Sequence, residues 1–139
     1  MKAIVRDVYG GPEVLELRDV ATPTPGPGEV LVRVRASSVN MADVDYVTGS
    51  PWAGRFATGL RAPKARIPGI DIAGEVEAAG AGATRFDPGD RVMADLFDVG
   101  SGAWAEYVAV PEATLTPIPD DVSFESAGVT PSAGIFGLQ

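Results

Sequence analysis

Cysteine and histidine are both missing from the 139 residues. Without cysteine there is no disulfide framework and no thiolate metal site, and without histidine the commonest neutral metal ligand and the usual general base are gone. Zinc chemistry would have to be built from carboxylates alone. Positive charge is also scarce: 11 Lys and Arg stand against 19 Asp and Glu, a formal net charge of -8. A nucleic-acid surface needs clustered basic residues on one face, so no nucleic acid is expected as a partner. Long hydrophobic runs are lacking too. The longest uncharged stretch, SAGVTPSAGIFGLQ from Ser126 to Gln139, is shorter than the ~20 apolar residues of a membrane span and contains Ser, Thr and Pro. The opening MKAIVRDVYGG has a three-residue apolar run before Arg6 and Asp7, too short for a secretory signal. These absences predict a cytoplasmic protein with no membrane partner.

What is present is a chain long enough for one domain, which at this size buries ~70% of its unfolded surface. Strict alternation from Val30 to Ala36 puts Val30, Val32, Val34 and Ala36 on one face and Leu31, Arg33 and Arg35 on the other, the period of a half-buried strand. Shorter β-branched or aromatic runs lie at Ala3 to Arg6, Val14 to Leu17, Ile72 to Ala78, Arg91 to Ala94, Trp104 to Val110 and Leu115 to Ile118. Gly, Pro and Asp clusters such as ATPTPGPGE and FDPGDRV separate them. The chain therefore reads as mainly β. Two short helices are expected, one over Ala42 to Val47 and one opening at Ser123, where Ser caps and Glu125 follows in the first turn. Arg55, Arg61, Lys64 and Arg66 gather in GRFATGLRAPKAR, which reads as a solvated loop.

The glycines of IPGIDIAGEVEAAGAGATRFDPGDRV invite a phosphate-loop reading. A dinucleotide fingerprint needs GxGxxG after a strand and opening a helix. Gly80 and Gly82 fit, but the third position is Arg85 and a turn follows. Gly69, Gly74, Gly80 and Gly82 are better read as corner and bulge residues of a bent sheet.

The spacing of PGIDIAGEVEAAGAGATRFDPGDRVMA resembles the signature region of the medium-chain dehydrogenase/reductase superfamily. PGPGEVLVRVRASSVNMAD and GAWAEYVAVPEATLTPIPDDVSFESAG extend the resemblance to nearly the whole chain, in the family's order. It implies an N-terminal GroES-like domain, a partly open β-barrel with one or two short helices, over residues 1–122. Residues 123–139 would begin a linker helix towards a nucleotide-binding Rossmann domain that this chain does not contain. In the zinc-dependent branch, a Cys and a His stand where this chain has Asn40 and Ile70, with Asp71 keeping only the neighbouring acid; Asn and Ile cannot replace thiolate and imidazole, so no metal site is expected. The resemblance thus points to the zinc-free branch, in which NADPH delivers hydride to a quinone, an enone or another activated carbonyl compound.

Within that branch the growing negative charge on the substrate oxygen must be met by hydrogen-bond donors. Asn40 offers an amide to substrate or nicotinamide, or else caps the helix near Ala42. Tyr46 offers a phenol as catalytic donor, or else packs; it stands one residue beyond the branch's usual tyrosine position, a turn of ~100° on a helix. Asp43 fits the family pattern as a partly exposed structural residue of a first helical turn. Asp71, Asp90 and Arg91 are expected to form a turn and a charge pair holding the barrel, and Trp104 to Tyr107 a strand. Phe136, where relatives carry a Thr near the nicotinamide, would cap a cofactor pocket or simply pack. Arg61, Lys64 and Arg66, in a stretch that resembles a segment of one zinc-free subgroup, would form a lid or attract an anionic cofactor. The expected partners are a small-molecule electrophile and a Rossmann domain or a second copy, with a homo-oligomer expected and no activity expected of the chain alone. The alternative is a stand-alone GroES-like module that self-associates through Ser126 to Gln139 without catalysis.

Overall fold

A computed structural model describes residues 1–138, and their side chains except those of residues 57 and 135–138. The chain runs through β1 (Lys2–Val5), β2 (Glu16–Asp19), β3 (Glu29–Ser37), α1 (Met41–Thr48), α2 (Arg55–Thr58), β4 (Asp71–Ala79), β5 (Arg91–Asp95), β6 (Tyr107–Pro111), β7 (Thr116–Pro117), α3 (Phe124–Gly128) and α4 (Thr130–Leu138). Five strands form an antiparallel sheet in the order β6-β3-β4-β5-β7, and β1 pairs with β2 as a separate ribbon. The ribbon joins the sheet where Ala3 bridges Ala105, just ahead of β6, with the Ile4 amide donating to the Trp104 carbonyl at 2.8 Å. Among the described residues, β7 has β5 as its one partner and the curled sheet stays open there. This is the partly open, mainly β barrel that the sequence predicts.

The core forms because the inward residues of β3, β4, β5 and β6 are branched and apolar. Val30, Val32, Ile72, Val92, Val108 and Val110 pack together with Leu96 and Leu115. Leu31, on the other face from the core residues Val30 and Val32, is buried as well. The β3–β4 register shifts twice: Glu77 is the extra residue of β4 opposite Leu31 and Val32, and Arg35 is the extra residue of β3 between Val34 and Ala36; each is a bulge that bends its strand. Gly74 sits opposite this irregular stretch. A Cβ there would stand 2.2 Å from the Arg33 carbonyl oxygen, so a bare backbone is what lets β4 close against β3. Gly69, with φ of 94°, takes the left-handed corner that leads into β4.

Several element boundaries differ from expectation. Residues Pro12–Val14 form a 3₁₀ turn, and the second strand starts only at Glu16. Trp104 lies before β6 instead of inside it, and its indole Nε1 donates to the Ser38 carbonyl at 3.0 Å. The helix opening at Ser123 is two helices, interrupted at Val129. Pro131 accounts for the break: without an N–H it is tolerated in a first turn but not in a helix interior. The basic stretch holds a 3₁₀ turn, Trp52–Gly54, followed by α2. Asp90 and Arg91 form no charge pair with each other. Asp90 closes the turn by accepting from the Asp87 amide at 2.8 Å, while Arg91 donates to the carbonyls of Pro119, Asp120 and Val122 and lies over the Phe124 ring.

Candidate active site

The site is organised around α1, whose two ends are both held by side chains. At its start Asn40 Oδ1 accepts from the amides of Ala42 and Asp43 at 2.9 and 3.2 Å, and Asp43 reaches back to the Asn40 amide at 3.0 Å. This reciprocal capping satisfies the donors that a helix start leaves free. With Oδ1 so committed, the Asn40 amide nitrogen is turned to Asp71 Oδ2 at 3.0 Å. The helix cap expected of Asn40 is therefore present, and one amide N–H of the group is left for a ligand.

Asp71 is 1% exposed and collects donors from three separate segments. Ser38 Oγ and Asn40 Nδ2 meet its Oδ2 at 2.6 and 3.0 Å, and the Ser132 amide and Oγ meet its Oδ1 at 2.9 and 2.7 Å. Four donors satisfy a carboxylate whose burial without partners would be costly. The acid thereby ties the loop after β3, the start of α1 and helix α4 to one point of β4. Ser132 had no signal in the sequence, since nothing local marks a serine that will donate across 61 residues.

Asp43 departs from its expected partial exposure: it is 0% exposed. Its Oδ1 has no hydrogen-bond partner. Burial, first of all, pushes its carboxyl above the ordinary aspartate value; the Asn40 amide opposes this, and the negative charge of Asp71 adds to it.

At the other end of α1 two arginines take the last carbonyls. Arg6, 1% exposed, donates from Nη1 to the carbonyls of Tyr46 and Val47 at 2.6 and 3.1 Å. Arg55 donates to those of Thr48 and Gly49 at 3.1 and 3.0 Å. Both guanidinium groups lie over the Tyr9 ring, at 5.1 and 4.5 Å from its centroid. The Tyr9 hydroxyl bonds to Thr58 Oγ1 and to the Gly59 carbonyl, so the same cluster anchors α2 beside α1. Of the four basic residues singled out in this stretch, Arg55 is thus part of the scaffold, and Arg66 pairs with Asp7 at the surface. Arg61 and Lys64 are exposed.

Two clefts flank α1 and meet along Ala42 and Asp45, which line both. One, of about 500 Å³, is walled by Tyr46, Phe97, Pro51, Gly54 and Thr58. Tyr46 and Phe97 meet edge to face there, 6.0 Å between centroids. The Tyr46 carbonyl is taken by Arg6, while its phenol has no partner among the described residues. Burial holds that phenol above the ordinary tyrosine value, with the Arg6 charge opposing. The second cleft, of about 470 Å³, is lined by Asn40, Asp71, Val39, Met41, Val129 and Ser132. The two expected site residues therefore face adjoining clefts, not one. Phe136 lies on α4, and its side chain falls outside the described residues. At the corner formed by Asn40 and Ile70 the side chains are an amide engaged in capping and a buried aliphatic group, a donor set that does not suit zinc.

Residues 26–120 match the model of the alcohol dehydrogenase GroES-like domain. A quinone oxidoreductase of Pseudomonas aeruginosa is 41% identical over 134 residues, which is 96% of this chain and 38% of that protein. The solved quinone oxidoreductase of Coxiella burnetii superposes with a TM-score of 0.87 at 33% identity, over 100% of this chain and 43% of that one. A mycobacterial protein solved in complex with NADPH superposes with a TM-score of 0.75 at 34% identity, over 92% of this chain and 37% of its own. The chain thus spans about two fifths of the length of the relatives it matches. No helix among the described residues is long and apolar enough to cross a membrane. By its sequence match and its fold, the chain belongs to the alcohol dehydrogenase GroES-like domain family, and its similarity is to the N-terminal part of quinone oxidoreductases.

Proposed function

We propose that this chain is the substrate-side domain of a zinc-free, NADPH-dependent oxidoreductase that reduces a quinone, an enone or another activated carbonyl compound. The observation that carries the reading is the aromatic-walled cleft on α1, with an unpartnered Tyr46 phenol beside Phe97 and an amide donor, Asn40, in the adjoining cleft. A bound reduced nicotinamide supplies hydride in such chemistry. Asn40 and the apolar Val39, Met41 and Val129 are suited to receive a flat ring that carries a carboxamide. Tyr46, held protonated well past neutral pH by burial, is suited to donate to the substrate oxygen as negative charge grows there. Dependence on a dinucleotide-binding domain, on the same polypeptide or supplied as a separate chain, belongs to this reading.

The test is NADPH oxidation with a quinone, measured with this chain joined to or mixed with such a domain. Replacing Tyr46 with Phe should lower kcat/KM ~100-fold, the scale of one lost donor to a developing oxyanion. Asn40→Ser keeps a capping oxygen but removes the amide donors, both the one to Asp71 and the one left for a ligand, so a loss of turnover in protein that is still fully folded at the assay temperature separates the ligand role from the cap. Full turnover in both variants would remove the basis of the assignment.

A second reading, a binding module that associates without catalysis, is favoured by one feature. Val39 and Met41 are 73% and 72% exposed beside the Asn40 cleft, an apolar rim that another copy could cover as well as a dinucleotide-binding domain.

A further inference from the structure

We propose that the aromatic-walled cleft selects neutral flat quinones over anionic ones, with Asp45 and Asp98 as the specificity-determining residues; this rests on the quinone-reduction reading above. Both carboxylates line that cleft, one from α1 and one from the 3₁₀ turn Phe97–Val99 after β5. Neither is in an ion pair among the described residues. The lining holds no Lys or Arg. The two cations behind the α1 wall, Arg6 and Arg55, are committed to the carbonyls of Tyr46, Val47, Thr48 and Gly49 and to the Tyr9 ring. Their charge is therefore spent largely on the negative end of the helix. In the same cleft, Tyr46 and Phe97 offer ring surfaces to a planar apolar molecule. A ligand entering the cleft meets aromatic surface and two carboxylates outside any ion pair, in a chain whose formal net charge of -8 adds repulsion at longer range.

The magnitude is bounded by exposure. Both carboxylates are exposed, so their repulsion acts through water and is screened by salt; two such charges near a bound anion amount to about tenfold in affinity at low ionic strength and less at 0.15 M. The experiment is a calorimetric titration of this chain with 1,4-naphthoquinone and with its 2-sulfonate, at low and high salt. With no cysteine in the chain, thiol arylation by the quinone does not interfere. The neutral compound should bind about tenfold more tightly at low ionic strength, and the ratio should shrink towards one in high salt and in Asp45→Asn/Asp98→Asn. Equal affinity for the two compounds, or a preference for the sulfonate, would overturn the selectivity while leaving the reduction reading intact. Binding of neither, to this chain or to it joined to a dinucleotide-binding domain, overturns the reduction reading, and the selectivity with it.

Discussion

Two buried aspartates, 28 positions apart in the sequence, have opposite circumstances. Asp71 is surrounded by donors and Asp43 has an oxygen with none. Removing the Asp71 carboxylate would strand hydroxyl, amide and backbone donors in a dry corner, a loss of the kind that costs ~3 kcal/mol. For Asp43 the consequence is a pH dependence. Its folded-state carboxyl titrates above the unfolded one, so the native chain holds the proton longer and the penalty of ionising Asp43 appears as pH rises through that interval. Stability from this group is therefore greatest below about pH 4, near the unfolded value, and falls as pH rises through the folded one. Urea midpoints measured from pH 4 to pH 7 should fall less steeply in Asp43→Asn than in the parent chain. Parallel slopes in the two proteins would mean that Asp43 ionises without cost.

At the scale of elements, α1 is an eight-residue helix, too short to be stable alone. Its stability comes from its ends: a reciprocal cap at Asn40 and Asp43, and two arginines on its last carbonyls. These fixtures also decide where the clefts lie, because Asn40 and Tyr46 are set by the same helix. The sheet has an equally local constraint at Gly74, where β3 and β4 approach across a bulge. Gly74→Ala should cost about 1–3 kcal/mol, the usual range for overpacking, read as a lower thermal midpoint. An unchanged midpoint would show that β3 can shift to admit the methyl group. Gly74 reads from the sequence as a bulge or corner glycine, but the alternating run from Val30 to Ala36 gives no sign of where the shifts fall, since register is settled by the partner strand. The cap was legible, because Asn followed by Asp three residues on is a local pattern.

For the whole molecule, the pertinent feature is apolar surface left open around the Asn40 cleft. Val39, Met41 and Val129 are each more than half exposed, and a group of this kind is usually covered in the working protein. A hydrophobic fluorescent dye should bind the isolated chain, and Val39→Ser together with Met41→Ser should remove roughly half of the signal or more if this rim is the main open patch. Undiminished binding would place the exposed surface elsewhere, with Trp52 on the turn before α2 and Phe56 on α2, which meet edge to face and are 65% and 66% exposed, as the next place to look.

The approximate places of most strands, the barrel class, the lack of cysteine and histidine and the capping of α1 could all be read from the chain, because each depends on residue types at short spacing or on a motif carried whole. The sequence also determined that Asn40 and Tyr46 share a helix. Only the tertiary structure decided the order of the strands, that Asn40 and Tyr46 face different clefts, that Leu31 is covered, that Asp43 is wholly buried and that Arg91 bonds to carbonyls in place of Asp90. It also brought Ser132 to Asp71 across 61 residues and Arg6 to Tyr46 across 40. The physical reason is common to all of these: a buried polar group is satisfied by whichever donor or acceptor the packing delivers, and packing joins segments whose separation along the chain carries no information about their contact.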